Sequence, residues 1–457
     1  MYLGPLCMLK QALKRVGQCF GDSMSRSPLA SLLTVGLVLA AAVHGYIVAF
    51  QRSFRFRDID IHREIGRRFL SGEYLYGNDY CYAYLPTAGL YFAPLTLMGR
   101  NESLALRYMV AVGCLAVTAF LFHRMMYGTD ESKGRSHLLA RVGAVVLTLQ
   151  FIIADLDDGG PHLILLAILT CGIYAIWVGR EWVGAVLFGL GIALKITPAL
   201  FVLLFLWKRQ WRVAFYTVLT AIFWIVLPAV HMGPTSWWEH HAEWTRNAAL
   251  SLLDQQAAGR QDNEQQKTNL SLRHTLMRYL VTYPESHRLR QVDSAYKPVL
   301  DLSPRFATLI VVSVTLGLLG LFAWSSREPF QGPRDTAWPR DCAGVLILAL
   351  LLSPITWNQH LVWLMPAVFI VVAAARTKGG LSYAGYVMLG VYVLLTTVLS
   401  HELLGKVRWE ALKSYHPQGI AILILFGLLL KSKSTSSELQ PSLGNMRPRS
   451  LDVGGET

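Results

Sequence analysis

Residues 182–207 read WVGAVLFGLGIALKITPALFVLLFLW, an apolar run with a single charge, Lys195. A bilayer core is crossed by about 20 apolar residues, so the run is long enough for one tilted helix. It is interrupted at Lys195-Ile196-Thr197-Pro198, where proline removes a backbone donor and crowds the preceding turn. Taken as one crossing, the run sends Lys208, Arg209 and Arg212 outside; taken as two half-crossings meeting at Lys195, it keeps them inside. The second reading also puts the other short basic loops inside, from Arg124, Lys133, Arg135, Arg141 and Arg180 through Arg327, Arg334, Arg340, Arg376 and Lys378 to Lys431 and Lys433. Cytoplasmic loops carry such an excess of Lys and Arg. The sequence therefore predicts a broken pair at Lys195.

Working outward, apolar stretches recur at 104–123, 138–154, 161–178, 212–231, 305–325, 341–357, 360–375, 381–400 and 417–431. The stretch 29–50 exceeds the roughly 7 to 15 residues of a secretory signal core and reads as an uncleaved anchor. Lys10, Lys14, Arg15 and Arg26 before it hold the N-terminus in the cytoplasm. The segment 84–98, with Pro86 and Pro94, reads as re-entrant or interfacial. The expectation is an all-α polytopic membrane protein of about 11–12 transmembrane helices. Its parts would be a cytoplasmic segment 1–28, a membrane body 29–431 with outer loops at 51–103 and 233–304, and a disordered cytoplasmic tail 432–457.

Composition agrees. Of 457 residues, 53% are hydrophobic and 16% charged, and the mean hydropathy is +0.38, which excludes an ordinary soluble enzyme. The net charge of +13 punctuates apolar runs instead of forming basic stripes on polar domains, so no nucleic-acid partner is expected. Cys7, Cys19, Cys81, Cys114, Cys171 and Cys342 fall in no metal or redox spacing. No internal repeat is visible, which weighs against secondary transporters built from paired halves.

Asp58 and Asp60 follow the first anchor among Arg57 and Arg63. One of these carboxylates could act as general base for a hydroxyl at the lipid–water boundary; the alternative is that both only neutralise nearby arginines. Six arginines at 52–68 outnumber the acids of that loop, and a bound anion outside would account for the excess. Asp155, Asp157 and Asp158 precede Gly159-Gly160-Pro161-His162 at an outer turn. Asp158 could cap the next helix, with Pro161 in its first turn, or the acids could contact a sugar or an acceptor hydroxyl. A lysine buried at a membrane break is a functional candidate, and a lipid phosphate is its obvious counter-ion. In Ser353-Pro354-Ile355-Thr356-Trp357-Asn358-Gln359-His360 the proline lets Asn358 and His360 face a cavity, although His360 in isolation reads as a hydrogen-bonded structural residue more than a catalyst. Asn269-Leu270-Ser271-Leu272-Arg273 adds a polar cluster with a cation and matches the Asn-x-Ser glycosylation pattern, which recurs by chance. Trp237, Trp238 and Trp244 suggest an interfacial belt.

In order and spacing, from Asp58 to Pro366, these segments resemble glycosyltransferase family 87, polyprenol-phosphate-mannose-dependent membrane transferases of the C superfamily. The likeness rests on Asp58 with Gly72-Glu73-Tyr74-Leu75-Tyr76, Tyr84-Leu85-Pro86 with Ala93-Pro94-Leu95, the Lys195 to Pro198 break, Asn269-x-Ser271-Leu272, and Ser353 to His360 with Thr356 in place of serine. Two places depart from the family pattern: His62 stands where tyrosine is common, and Gly159-Gly160-Pro161-His162 replaces Gly-Gln-x-Asn. The resemblance implies inverting transfer of a sugar, mannose by family, from a polyprenyl-phosphate donor to a lipid or glycan acceptor outside the cytoplasmic membrane. Asp58 would be the base. Lys195, Arg273, His360 and Asn358 would hold donor phosphate or sugar, with Asp60, Asp158 and Asn269 as secondary candidates. No metal or other cofactor is expected, and the oligomeric state is open. Rival readings are a lipid-linked sugar flippase and a non-catalytic partner in envelope assembly.

Overall fold

The computed structural model describes residues 40, 43–51, 58–76, 84–127, 134–246, 268–285, 290, 293, 296–377 and 379–432. The segment 1–28, most of the anchor 29–50, the tail beyond Ser432, Arg52, Arg55 and Arg57, and the middle of the long loop at 247–267 lie outside the described residues.

Among the described residues every regular element is helical. Helices α1 (Asp58–Ser71) and α2 (Thr87–Phe92), with a 3-10 turn at Ala93–Leu97, precede α3 (Arg100–Tyr127), α4 (Gly134–Asp158), α5 (His162–Trp177), α6 (Glu181–Leu194), α7 (Leu200–Trp207) and α8 (Trp211–Val226). The long loop holds α9 (Pro234–Trp244) and α10 (Leu272–Leu280). There follow α11 (Pro304–Ser325), α12 (Trp338–Leu352), a 3-10 segment Asn358–Leu364 running into α13 (Met365–Ala375), α14 (Tyr383–Val393), α15 (His401–Lys413) and α16 (Pro417–Lys431).

Five of these helical stretches are long and apolar enough to cross a bilayer: Arg100–Tyr127, Leu139–Asp158, Trp211–Met232, Pro304–Ser325 and Asn358–Ala375. The bent pair Val407–Lys413 and Pro417–Lys431 adds one more if it crosses as a unit. His162–Trp177, Glu181–Leu194, Thr197–Trp207 and Tyr383–Val398 are apolar but shorter. Only 11% of the Pro304–Ser325 window is buried against protein, with Leu309, Leu316, Leu321 and Trp324 exposed, so its apolar surface is suited to lipid. The Asn358–Ala375 window is 83% buried and forms the centre of the bundle. The segment 84–98 folds as short α2 and its 3-10 turn, which is too short to span.

The break at Lys195 is a hairpin. Lys195 has extended backbone (φ −151°, ψ 128°), and a 3-10 turn at Thr197–Ala199 starts the return. Phe188 stacks near both Phe201 and Phe205, with ring centroids 4.6 and 5.0 Å apart; a continuous helix would separate residues 188 and 205 by about 25 Å. The turn that leads into the first arm and the end of the second meet the same loop. Arg334 N donates to Trp177 O (2.6 Å), and Phe330 N donates to Lys208 O (3.3 Å). Arg180, Lys208, Arg209, Arg327 and Arg334 therefore gather at one end of the molecule, with Lys195 at the tip toward the other.

That basic end is locked by a buried ion pair, Lys208 Nζ to Asp341 Oδ2 at 2.5 Å, both side chains 2% exposed. Arg340 also reaches Asp341 (3.0 Å), and Lys208 donates to Glu328 O (2.7 Å). Removing Lys208 leaves the buried Asp341 with Arg340 as its remaining cation, so Lys208→Ala is expected to cost about 3 kcal/mol, the low end for a broken buried pair. The readout is the melting midpoint in detergent, and an unchanged midpoint would contradict it.

At the opposite end α1 lies as an amphipathic helix on α2. Its inner face carries Asp58, His62, Ile65 and Phe69 at helical spacing, with Ile59, Phe69, Tyr84, Phe92 and Leu104 forming a small separate core. The arginine excess of this loop is internally satisfied where it is described. Arg63 donates to Met98 O (2.7 Å), Gly99 O (3.2 Å) and Ser103 Oγ (2.6 Å), Arg67 pairs with Glu64 and Glu73, and Arg68 pairs with Glu64. Glu64 and Glu73 thus balance Arg67 and Arg68, while Arg63 is held by uncharged oxygens that leave its positive charge in place.

Candidate active site

Asp58 is the first residue of α1 and is partly exposed. It faces the turn between α4 and α5, the hairpin tip and the 3-10 segment after Pro354. Burial raises its carboxyl to about 7, Asp158 and then Asp155 push in the same direction, and a hydrogen bond from Gln359 and the charge of Lys195 oppose them. Burial and like charges thus outweigh both the cation and the favourable helix N-terminus.

Asp60 lies about 200° round the helix from Asp58 and pairs with Arg100, Nη2 to Oδ2 2.7 Å. It serves the ion-pairing role considered from sequence. The three acids before Gly159 divide. Asp157 lies 3.5 Å from His44, Asp158 acts on Asp58, and Asp155 is buried at 1% exposure. Asp155, not Asp158, caps α5. Its carboxylate accepts from His162 N (3.3 Å), Leu163 N (3.0 Å) and His162 Nδ1 (2.8 Å), while Pro161 is the residue just before the helix. Gly159 closes α4 in the left-handed region (φ +67°), with Gly160 N donating back to Asp155 O (2.9 Å), a glycine C-cap.

At the hairpin tip Lys195 Nζ sits 3.4 Å from His162 Nε2 and 3.2 Å from His360 Nε2. The two imidazole rings are 4.1 Å apart. Lys195, His162, His360, Thr197, Ser353 and Thr356 line a small, half-open pocket, and Thr197 Oγ1, buried in its wall, has no hydrogen-bond partner. The structure thus brings Asp58, Asp158, Lys195 and His360 together, and Asp155, His162 and Gln359 join them.

The other sequence candidates fall elsewhere. Arg273 lies in the first turn of α10 near His274 and Tyr283 and is not among the charges acting on Lys195. Asn358 is bypassed by its neighbour Gln359, which reaches Asp58. Asn269 is 2% exposed and structural. Its side chain accepts from Thr356 N (3.0 Å) and Ser271 N (3.1 Å) and donates to Pro354 O (2.8 Å), riveting the long loop to the break after α12. That burial leaves the Asn-x-Ser pattern inaccessible to a glycan. Thr356 Oγ1 donates to Leu350 O (2.6 Å), the carbonyl that Pro354 leaves without its helical partner; the hydroxyl serves whether threonine or serine carries it.

One turn along α1, His62 is fully buried and stacked on Phe92 at 4.0 Å. Burial first, and then the Arg107 guanidinium, hold its imidazole far below the ordinary range, so it is neutral. Arg107 Nη2 donates to His62 Nδ1 (3.0 Å), which leaves Nε2–H to donate to Tyr84 Oη (2.9 Å). Sequence reading missed His162 and Gln359 as site members, and among the three acids before Gly159 it put Asp158 forward where Asp155 is the one turned inward. The signal for His162 was present as a departure in the Gly159 to His162 turn.

The described residues form an all-α bundle with helices of membrane-spanning length, and the family match makes the chain a polytopic membrane glycosyltransferase. The chain belongs to glycosyltransferase family 87, whose family model matches residues 82–354. That match includes Lys195 and Asn269 but neither Asp58 nor His360. The chain is 25% identical over 414 residues, 83% of its length and 86% of the relative's, to a polyprenol-phosphate-mannose-dependent alpha-(1-2)-phosphatidylinositol mannoside mannosyltransferase of Mycolicibacterium smegmatis. A protein of the same description from Mycobacterium tuberculosis is 24% identical over 91% of this chain and 94% of its own. A polyprenol-phosphate-mannose-dependent alpha-(1-2)-phosphatidylinositol pentamannoside mannosyltransferase of M. smegmatis is 25% identical over 74% of each chain. No solved structure matches the chain.

Proposed function

We propose that this protein transfers mannose from a polyprenyl-phosphate donor to a hydroxyl of a lipid-linked mannoside, at the outer face of the cytoplasmic membrane and with inversion at the anomeric carbon. The observation that carries this reading is the convergence of Asp58 with Lys195 at the hairpin tip, at the end of the bundle opposite the basic turns. The donor and acceptor classes follow the relatives' descriptions. The body at 29–431 would carry the reaction, with the loops 51–103 and 233–304 outside and the termini 1–28 and 432–457 in the cytoplasm.

Asp58 takes the proton of the acceptor hydroxyl as its oxygen attacks the anomeric carbon, and the bond to the donor phosphate breaks. The polyprenyl phosphate leaves with the bonding electron pair. Lys195, with His360 beside it, offsets the charge that grows on that phosphate. Holding both amphiphiles at one interface supplies proximity. A phosphate leaving group needs no nucleotide site.

The test is transfer of radiolabelled mannose from a short-chain polyprenyl-phosphate donor to membrane lipids by purified protein. Label reaching no lipid, with this or any other polyprenyl-phosphate sugar, would sink the transferase reading and favour a flippase. The pH profile gives a second check. A base held near 7 must lose its proton to act, so kcat/KM is expected to rise about tenfold per pH unit below that value and to level off above it until Lys195 loses its own proton. Asp158→Asn removes a negative neighbour that raises the carboxyl, so the midpoint should move to lower pH. A midpoint in the ordinary carboxylate range for the wild type would contradict the assignment.

A further inference from the structure

We propose that Asp155 and His162 act as a pair of positioning residues that hold the Lys195 ammonium in place and charged for the donor phosphate, and that Gly160 is glycine to leave room for that pair. This rests on the reading of Lys195 as the phosphate-binding cation.

The tautomer of His162 is fixed by its partner. The Asp155 carboxylate accepts at 2.8 Å from Nδ1, so Nδ1 carries the proton and the lone pair of Nε2 faces Lys195 at 3.4 Å. The same carboxylate is clamped by the backbone N–H groups of His162 and Leu163, and Trp363 Nε1 donates to His162 O (3.2 Å). Neither member of the pair is free to turn away. A carboxylate, an imidazole and an ammonium thus form one chain from the end of α4, through the start of α5, to the hairpin tip. The groups facing Lys195 are Asp58 from α1, Asp155 from α4, His162 from α5 and His360 from the 3-10 segment. Two of the four are carboxylates, and Asp155 is the one with no part in proton transfer.

Gly160 supplies an independent observation. A Cβ on this residue would lie 2.1 Å from Asp155 Oδ1 and 3.1 Å from His162 Nδ1. Any side chain there would drive the carboxylate off the imidazole. The glycine at 160 and the histidine at 162 are therefore coupled choices: the first makes the space in which the second meets its acid.

In a low-dielectric site an ammonium keeps its proton only while favourable partners compensate for lost water. Asp155→Asn keeps the shape and removes the charge, so Lys195 should lose its proton, and its hold on phosphate, at lower pH. The experiment measures binding of a short-chain polyprenyl phosphate to purified wild type and Asp155→Asn from about pH 6 to about pH 10, with mannose transfer followed in parallel. Expected are near-equal affinities at the acid end and a loss that sets in roughly one pH unit earlier in the variant, about tenfold weaker binding at a given alkaline pH. Gly160→Ala should reproduce that shift. Lys195→Arg placed in the Asp155→Asn background should remove the alkaline loss, because a guanidinium does not titrate there. Superimposable curves for wild type and Asp155→Asn, or weakening by one factor at every pH, would overturn the proposal, the latter marking a merely structural role. Failure of the wild type to bind the phosphate at any pH would overturn it together with the phosphate role of Lys195. Binding curves as expected without mannose transfer would sink only the mannose-donor reading.

Discussion

Asp58→Asn is expected to lower transfer by about 10²–10⁴-fold, the usual worth of a positioned general base, while the protein folds and inserts as before. The substitution keeps the size of the side chain and leaves an amide oxygen that can still accept from Gln359. It also removes one of several crowded acids, since Asp155 and Asp158 both press on this carboxyl. Loss of Asp58 through general damage would lower stability and activity together; loss of a base in an unfavourable environment lowers activity alone. The discriminating pair of measurements is therefore the initial rate of mannose transfer and the melting midpoint in detergent. A variant as active as wild type would remove Asp58 from the mechanism. A variant that is inactive because its midpoint has collapsed would show that the carboxylate supports α1 instead.

Lys195→Ala should cost about 10²–10³-fold in kcat/KM for the donor, the range seen when one charge-stabilising donor is deleted from an active site. The dependence on acceptor concentration should change far less. The lysine stands between His162 and His360 at the wall of the cavity, and its deletion leaves two imidazoles with no permanent positive charge between them. Lys195→Arg keeps the charge but replaces a compact ammonium by a planar fork, so partial activity is expected. Varying donor and acceptor separately checks the assignment, and equal losses for both would count against a phosphate contact.

How far the sequence carries the reader differs from element to element. The hairpin was legible because Lys195 and Pro198 are the wrong residues for a continuous membrane helix, and the basic turns on either side demanded one parity. The division of labour among Asp155, Asp157 and Asp158 was not. All three sit within one helical turn, and which one turns inward depends on where α5 starts, a question settled by backbone N–H groups that spacing cannot place. Arg273 looked like a phosphate ligand because it is a cation beside a polar cluster, and the buried centre of that cluster, Asn269, is a rivet between backbone segments. Gln359 was passed over for Asn358 because a 3-10 segment turns by about 120° per residue, so its inward positions do not follow helical spacing. How Arg63, Arg67 and Arg68 are held was beyond charge counting, because their partners include the carbonyl oxygens of Met98, Gly99 and Tyr74, acceptors that carry no formal charge.

The doubled-back arms around Lys195 also bear on how the chain is made. The arms Glu181–Leu194 and Leu200–Trp207 are each shorter than the ~20 residues that hold a helix across a bilayer, and the link between them carries an ammonium that hydrocarbon rejects. During synthesis the hairpin has no independent means of staying in the lipid. It has to be received by its neighbours, with α5 emerging before it and α8 after it. Thr220 Oγ1 of α8 donates to Ala185 O at 3.0 Å, and a side chain on Gly189 would strike Thr220 and the backbone of Ala221. Until α8 is delivered, the hairpin lacks the wall it seats against, and His360, which lies against Lys195, arrives later still, so the hairpin tip is among the later parts of the molecule to mature, although it lies in the first half of the chain.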